Sequence, residues 1–238
     1  MRELSPAQRH KARVLAELAA ASAEPGGPTT GSQYELQLYQ LAEDRRRLKN
    51  IQSIKGKIAL KAQLLPNYHA WIDAVLTAGK GGQDDVFTTI LVWSIDAGDY
   101  KRAAQMAGYA MAHKMTLPDQ YNRDIPTMLL DEFSEAYLHG KLADDPAQAE
   151  TILEQIGDLT EGSDVPDQAR AKLHKALAYA QLQLADGDDD KRDLVGQSLN
   201  YAQSAYRHLQ RALELFQGVG VKKDIEILER RLKKAEHG

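Results

Sequence analysis

The sequence contains no cysteine, which excludes a disulfide, a thiolate-held zinc and a cysteine nucleophile, and fits a reducing compartment. No stretch approaches the roughly 18 consecutive apolar residues that a membrane-spanning helix needs. The opening Met1-Arg2-Glu3-Leu4-Ser5-Pro6 lacks the apolar core of a signal peptide, so a soluble protein without a standard export leader is expected. Alternating runs of β-branched residues are missing as well, and without them the expected fold class is all-α. The seven histidines, His10, His69, His113, His139, His174, His208 and His237, show neither H-x-x-x-H nor H-E-x-x-H spacing, so no metal site is expected from them. A G-x-S-x-G element for serine chemistry is absent too.

What the chain does have is length and helical punctuation. Its 238 residues suffice for one large helical domain or two small ones. Ser5-Pro6-Ala7-Gln8 combines an N-cap serine, a proline at the first helical position and a glutamine at the third, so a basic helix is expected over 1–23. Glu24-Pro25-Gly26-Gly27-Pro28-Thr29-Thr30-Gly31 then reads as a flexible linker over 24–31. From Ser32 to Leu65 no residue but Gly56 interrupts a helix, and Leu41, Leu48, Ile51, Ile58 and Leu65 recur close to a seven-residue repeat. One long coiled-coil-like helix over 32–65 is expected, its apolar seam a candidate oligomerisation surface or a face packed against the helical body. Residues 66–238 read as a domain of helical hairpins with tetratricopeptide-like packing but no 34-residue period. Helices are expected over 67–78, 84–97, 100–113, 127–139, 147–156, 167–184, 198–216 and 221–234.

Charge is segregated. The net charge is -4, yet residues 1–65 hold eleven Lys/Arg against six Asp/Glu. Arg45, Arg46, Arg47, Lys49, Lys55, Lys57 and Lys61 follow Asp44 with no acid among them, Asp73 being the next. At about 100° per residue, Arg45, Arg46, Lys49, Lys57 and Lys61 spread over the half of a helix opposite the apolar seam. Such a strip can neutralise phosphates and release their counterions, which gives affinity without base selectivity. Arg9, Lys11 and Arg13 on the first helix are candidate partners for the same DNA.

Two loops mimic chemistry. Gly79-Lys80-Gly81-Gly82 lacks the G-x-x-x-x-G-K-[ST] spacing of a nucleotide loop and reads as a helix stop. Pro166-Asp167 followed by Asp189-Asp190-Lys191 satisfies a loose nuclease pattern, but both pieces fall at expected helix ends or loops, whereas that motif needs adjacent strands. No catalytic or metal-binding residue is therefore assigned, and no cofactor is expected.

Several segments together resemble the small terminase subunit of peduovirus-type temperate contractile-tailed phages, a family often labelled "terminase endonuclease subunit". They are Ser5-Pro6-Ala7-Gln8-Arg9-His10, Leu64-Leu65-Pro66, Gly79-Lys80-Gly81-Gly82-Gln83-Asp84-Asp85, Asp164-Val165-Pro166-Asp167-Gln168-Ala169-Arg170-Ala171-Lys172-Leu173-His174-Lys175 and Gly220-Val221-Lys222-Lys223-Asp224-Ile225-Glu226. In order and spacing they span almost the whole chain. The resemblance implies a subunit that recognises the cohesive-end site of double-stranded phage DNA and forms a ring-like homo-oligomer. It also implies a partner, the large terminase subunit with its ATPase and nuclease, and a place in the cytoplasm of the infected bacterial host. Relatives often end in a Lys/Pro-rich tail, whereas this sequence stops at Gly238 soon after Arg230-Arg231-Leu232-Lys233-Lys234, so no role of such a tail carries over. The alternatives are a metal-dependent DNA endonuclease, as the label states, and a tetratricopeptide-like protein-binding scaffold.

Overall fold

A computed structural model describes His10, 14–15, 17–18, Thr29, 31–119, 121–187, Asp189 and 193–237. Among these residues there are ten α-helices and no strand, so the protein is all-α. We number them α1 (Ser32–Lys49), α2 (Ile54–Leu64), α3 (His69–Ala78), α4 (Asp85–Asp96), α5 (Tyr100–Ala112), α6 (Ile125–Leu138), α7 (Pro146–Thr160), α8 (Asp167–Asp186), α9 (Gln197–Leu215) and α10 (Lys222–His237). A 3-10 turn, Leu65–Asn67, joins α2 to α3. The expected helix over 1–23 and most of the linker lie outside the described residues. Thr29 is described and buried, its N–H donating to the Gln83 carbonyl at 2.9 Å.

The chain divides into two compact units at Ile125/Pro126, not at Leu65/Pro66 as the break after the expected long helix implied. The first third of the expected hairpin domain, residues 66–125, thus falls in the unit with α1 and α2. No composition shift marks Ile125/Pro126, and so the sequence reading missed it.

In the first unit α4 is the core. Val86, Phe87, Ile90, Leu91, Trp93 and Ile95 are buried, and so are Thr88, Thr89 and Ser94 between them. A helix enclosed on every side needs neighbours all round, and α1, α2, α3 and α5 supply them. The helix starts where Asp84, itself fully buried, accepts the Phe87 N–H at 2.8 Å and the Trp71 indole N–H at 2.8 Å. Burial pushes the Asp84 carboxyl up to about 6. Gly79 closes α3 in the left-handed conformation, φ 62°, as its position after an apolar helix predicts. Gly98, φ 84°, then turns α4 into α5, whose Ala103, Ala104, Ala107 and Ala110 are buried.

In the second unit α8 and α9 form the main helix pair, with α7 packed on α8 and α10 on α9. The buried side chains of that pair are mostly alanine, including Ala178, Ala185, Ala202 and Ala205, with Leu194, Leu209, Val221 and Leu228 filling the same core. Small side chains allow the axes to approach, and they leave little room. Ala205→Leu is expected to destabilise this unit by about 1–2 kcal/mol through overpacking, read as a lower denaturation midpoint by circular dichroism. An unchanged midpoint would mean that the pair is more loosely packed than its burial shows.

Candidate nucleic-acid interface

The cationic segment is built from two helices rather than one. α1 ends at Lys49 with Arg46, Arg47 and Lys49 in its last turn, where the helix dipole favours cations. Asn50 still bonds back to the Arg46 and Arg47 carbonyls, Ile51 to that of Leu48, and the chain then leaves the helix. Ser53 is extended, φ -70° and ψ 129°, and its hydroxyl accepts the Gly56 N–H at 3.2 Å, starting α2 anew. A Cβ on Gly56 would lie 2.9 Å from Ile51 Cγ2, so the Ile51 side chain closes the turn over the glycine. The expected continuous helix over 32–65 is therefore corrected to a helix, a four-residue turn and a second helix.

Folding sorts the basic residues. Arg45 is half-buried and donates to Thr89 Oγ1 of α4 at 2.8 Å. Arg47 pairs with Asp44 at 2.8 Å, and Lys61 pairs with Asp96 of α4. Arg46 pairs with Glu43, but the two side chains are 70% and 44% exposed, so that pair contributes little and exchanges readily for another anion. Lys49 and Lys55 are exposed and Lys57 is half-buried, and none of the three has an ion-pair partner among the described residues. These lysines surround the α1–α2 turn, and the first turn of α2 contains no acid. The strip that looked acid-free along the sequence thus acquires Asp96 from α4 and turns Asp44 inward. Arg9, Lys11 and Arg13 lie outside the described residues.

The candidate oligomerisation seam divides in the same way. Leu41, Leu48 and Leu65 are 1%, 8% and 5% exposed within their own chain, filling the core of the first unit. Ile51 and Ile58 are half-buried. The large apolar side chains that α1 and α2 do present are Leu36, Tyr39 and Ile54, at 59%, 69% and 76% exposure. Leu36 and Tyr39 stand three residues apart, out of phase with the seven-residue repeat, so the reading that followed the repeat passed over them.

The two chemistry-like loops have plain structural roles. Gly81 N–H donates to the Tyr109 hydroxyl at 2.8 Å, and the His113 ring lies where a Gly81 side chain would be, so protein atoms fill the concavity of the Gly79–Gly82 loop. Asp167 is the first residue of α8 and Asp189 follows its end. Twenty helical residues span about 30 Å, so these two carboxylates cannot hold one magnesium ion. No group of three or more His, Asp or Glu that could hold a metal occurs among the described residues.

Fold and site together define an all-helical protein carrying a lysine-rich turn between two helices. The family model described as phage small terminase subunit matches residues 38–168, which include the whole turn. The chain is also 39% identical over 229 residues to the protein named "Terminase, endonuclease subunit" of Escherichia phage P2, an alignment covering 96% of this chain and 86% of that one. The chain therefore belongs to the phage small terminase subunit family, whose work is phage DNA packaging. No solved structure matches it. No described helix is long and apolar enough to cross a membrane.

Proposed function

We propose that this chain is the DNA-recognition and assembly subunit of its terminase, binding double-stranded phage DNA at the cohesive-end site through the α1–α2 turn. It acts as a homo-oligomer in the cytoplasm of the infected host and presents the DNA to a large subunit that carries the ATPase and nuclease. The carrying observation is the group formed by Lys49, Lys55 and Lys57, three cations without ion-pair partners among the described residues, set around one turn with Arg46 beside them. Phosphates would take the place of the missing anions.

Changing Lys49, Lys55 and Lys57 together to Gln is expected to reduce the slope of log affinity against log salt by roughly 2.7, about 0.9 per lost phosphate contact. Helicity should hold, because Gln is nearly as good a helix former as Lys. An unchanged slope would sink the turn as the contact and leave the N-terminal Arg9, Lys11 and Arg13 as the next cations to replace.

The assembly surface we assign to Leu36, Tyr39 and Ile54, the large apolar side chains that α1 and α2 leave exposed. Leu36→Asp with Tyr39→Asp is expected to shift the protein toward smaller species in light scattering. The same mass with native helicity would place the contact elsewhere.

The printed name of the phage P2 relative favours a second reading, an intrinsic endonuclease. Asp167→Asn with Asp189→Asn is expected to leave cohesive-end cutting by the two-subunit enzyme unchanged. Loss of cutting with DNA binding retained would restore this second reading.

A further inference from the structure

The second unit contains a contact outside the DNA and assembly surfaces proposed above. His174 on α8 and His208 on α9 place their Nδ1 atoms 2.9 Å apart, with ring centroids 5.1 Å apart and planes inclined by 33°. At that distance one nitrogen must donate and the other accept, so two neutral rings share a single proton between these atoms. Both rings are half-buried and line a cavity of about 650 Å³ bounded by α7, α8 and α9.

The charges around the pair come from all three helices. From α7 and the turn after it, Glu154, Asp158 and Glu161 line the cavity. Arg170 stands on the α8 side, with Arg207 and Arg211 on α9. Arg170 donates to the Thr160 carbonyl at 2.8 Å and so holds the end of α7, and Arg211 pairs with Glu214 at 3.0 Å. Burial raises the Glu154 carboxyl, with Glu150 and Asp158 adding to the effect. The arginines thus keep the imidazoles in a cationic setting, and the acids occupy the other wall.

We propose that His174 and His208 form an acid-released latch between α8 and α9, closed while one proton lies between their facing nitrogens and opened when both rings are imidazolium. A first added proton goes to the outer nitrogen of the donating ring and leaves the other Nδ1 an acceptor, so the bond persists. A second makes both rings cations with two facing donors, which removes the hydrogen bond and replaces it with repulsion. The helices are poorly placed to absorb that repulsion, since their contact is built largely from alanines with no long side chain to rearrange.

The direction with pH follows from the surroundings. Burial, then His208, Arg211 and Arg170, hold the His174 imidazole down to about 4, and burial with Arg207 lowers that of His208. The unfolded chain takes up these protons near 6.5 and the folded chain only at lower pH. The latch is therefore at full strength above about 6.5 and is lost as pH falls through the folded value. From pH 7.5 to pH 5, His174 alone should raise the unfolding equilibrium constant of this unit roughly 30-fold.

The test compares the full-length wild type with the double variant His174→Leu, His208→Leu by amide hydrogen exchange at pH 7.5 and 5, corrected for intrinsic rates. The wild type is expected to lose at least tenfold more protection in α8 and α9 than the variant does. Equal losses would overturn the latch. Histidine C2–H exchange on the wild type keeps the proposal falsifiable if the variant fails to fold. His174 is expected to half-titrate below pH 5.5, and titration at 6.5 or above would also overturn it.

Discussion

Asp44→Ala is expected to lower the stability of the first unit by about 3 kcal/mol. The Asp44 side chain is buried, with one oxygen accepting the Tyr68 hydroxyl at 2.9 Å and the other the Arg47 guanidinium at 2.8 Å. Tyr68 is fully buried and meets Trp93 edge to face at 6.2 Å. Burial pushes its phenol pKa upward, and the hydrogen bond to Asp44 pushes further, so the hydroxyl remains a donor. Alanine would strand this hydroxyl in the core, at about 1–3 kcal/mol, and remove a hydrogen bond to a charged group worth about 1.5–3 kcal/mol. Better helix propensity returns only about 0.5 kcal/mol. Arg47 is half-exposed and loses little by turning to water. Asp44→Asn keeps an acceptor for Tyr68 and should cost about half as much. In a Tyr68→Phe background the penalty of Asp44→Ala should shrink, because the stranded hydroxyl is gone. Both tryptophans of the chain, Trp71 and Trp93, lie in this unit. Urea unfolding followed by their fluorescence therefore reads it alone. An additive double mutant would show that the Asp44–Tyr68 bond carries no energy.

Asp44 also shows where the sequence stopped being legible. Glu43-Asp44-Arg45-Arg46-Arg47 reads as a uniformly charged surface, and only the fold reveals that its second acid faces Tyr68. Helix ends that depend on local chemistry were readable, as at Gly79, where the left-handed glycine closes α3. The α1–α2 break was less so, because Asn50 to Ser53 contains neither glycine nor proline and Leu41, Leu48, Ile51, Ile58 and Leu65 keep close to a seven-residue repeat across it. Ser53 with Gly56 three residues later was the local sign, outweighed by that rhythm. Of the five positions in that repeat, the chain itself buries Leu41, Leu48 and Leu65, while Ile51 and Ile58 are half-buried. The lysine turn was half legible. Its cations were evident, but the partners of Arg45 and Lys61 sit on α4, more than thirty residues away, and no local pattern announces them.

Gly81→Ala is expected to cost about 3 kcal/mol, from two sources that can be separated. Gly81 has φ +68°, where an alanine is strained by about 1 kcal/mol. Its added Cβ would also lie 2.1 Å from His113 Nδ1 and 2.5 Å from Cγ, a clash that only movement of the ring relieves. The ring is hemmed in, since Tyr109 packs against it at 4.3 Å between centroids and also receives the Gly81 N–H on its hydroxyl. Tyr109 in turn meets Phe87 of the buried helix α4 at 5.3 Å. Displacing His113 therefore disturbs the core, at about 2 kcal/mol by analogy with other overpacked sites. With His113→Ala already present the steric part disappears, and Gly81→Ala should then cost only about 1 kcal/mol. The difference between these two costs, measured by urea unfolding, is the coupling between loop and ring. Equal costs in both backgrounds would mean that the backbone conformation alone demands glycine and that His113 does not fill the loop.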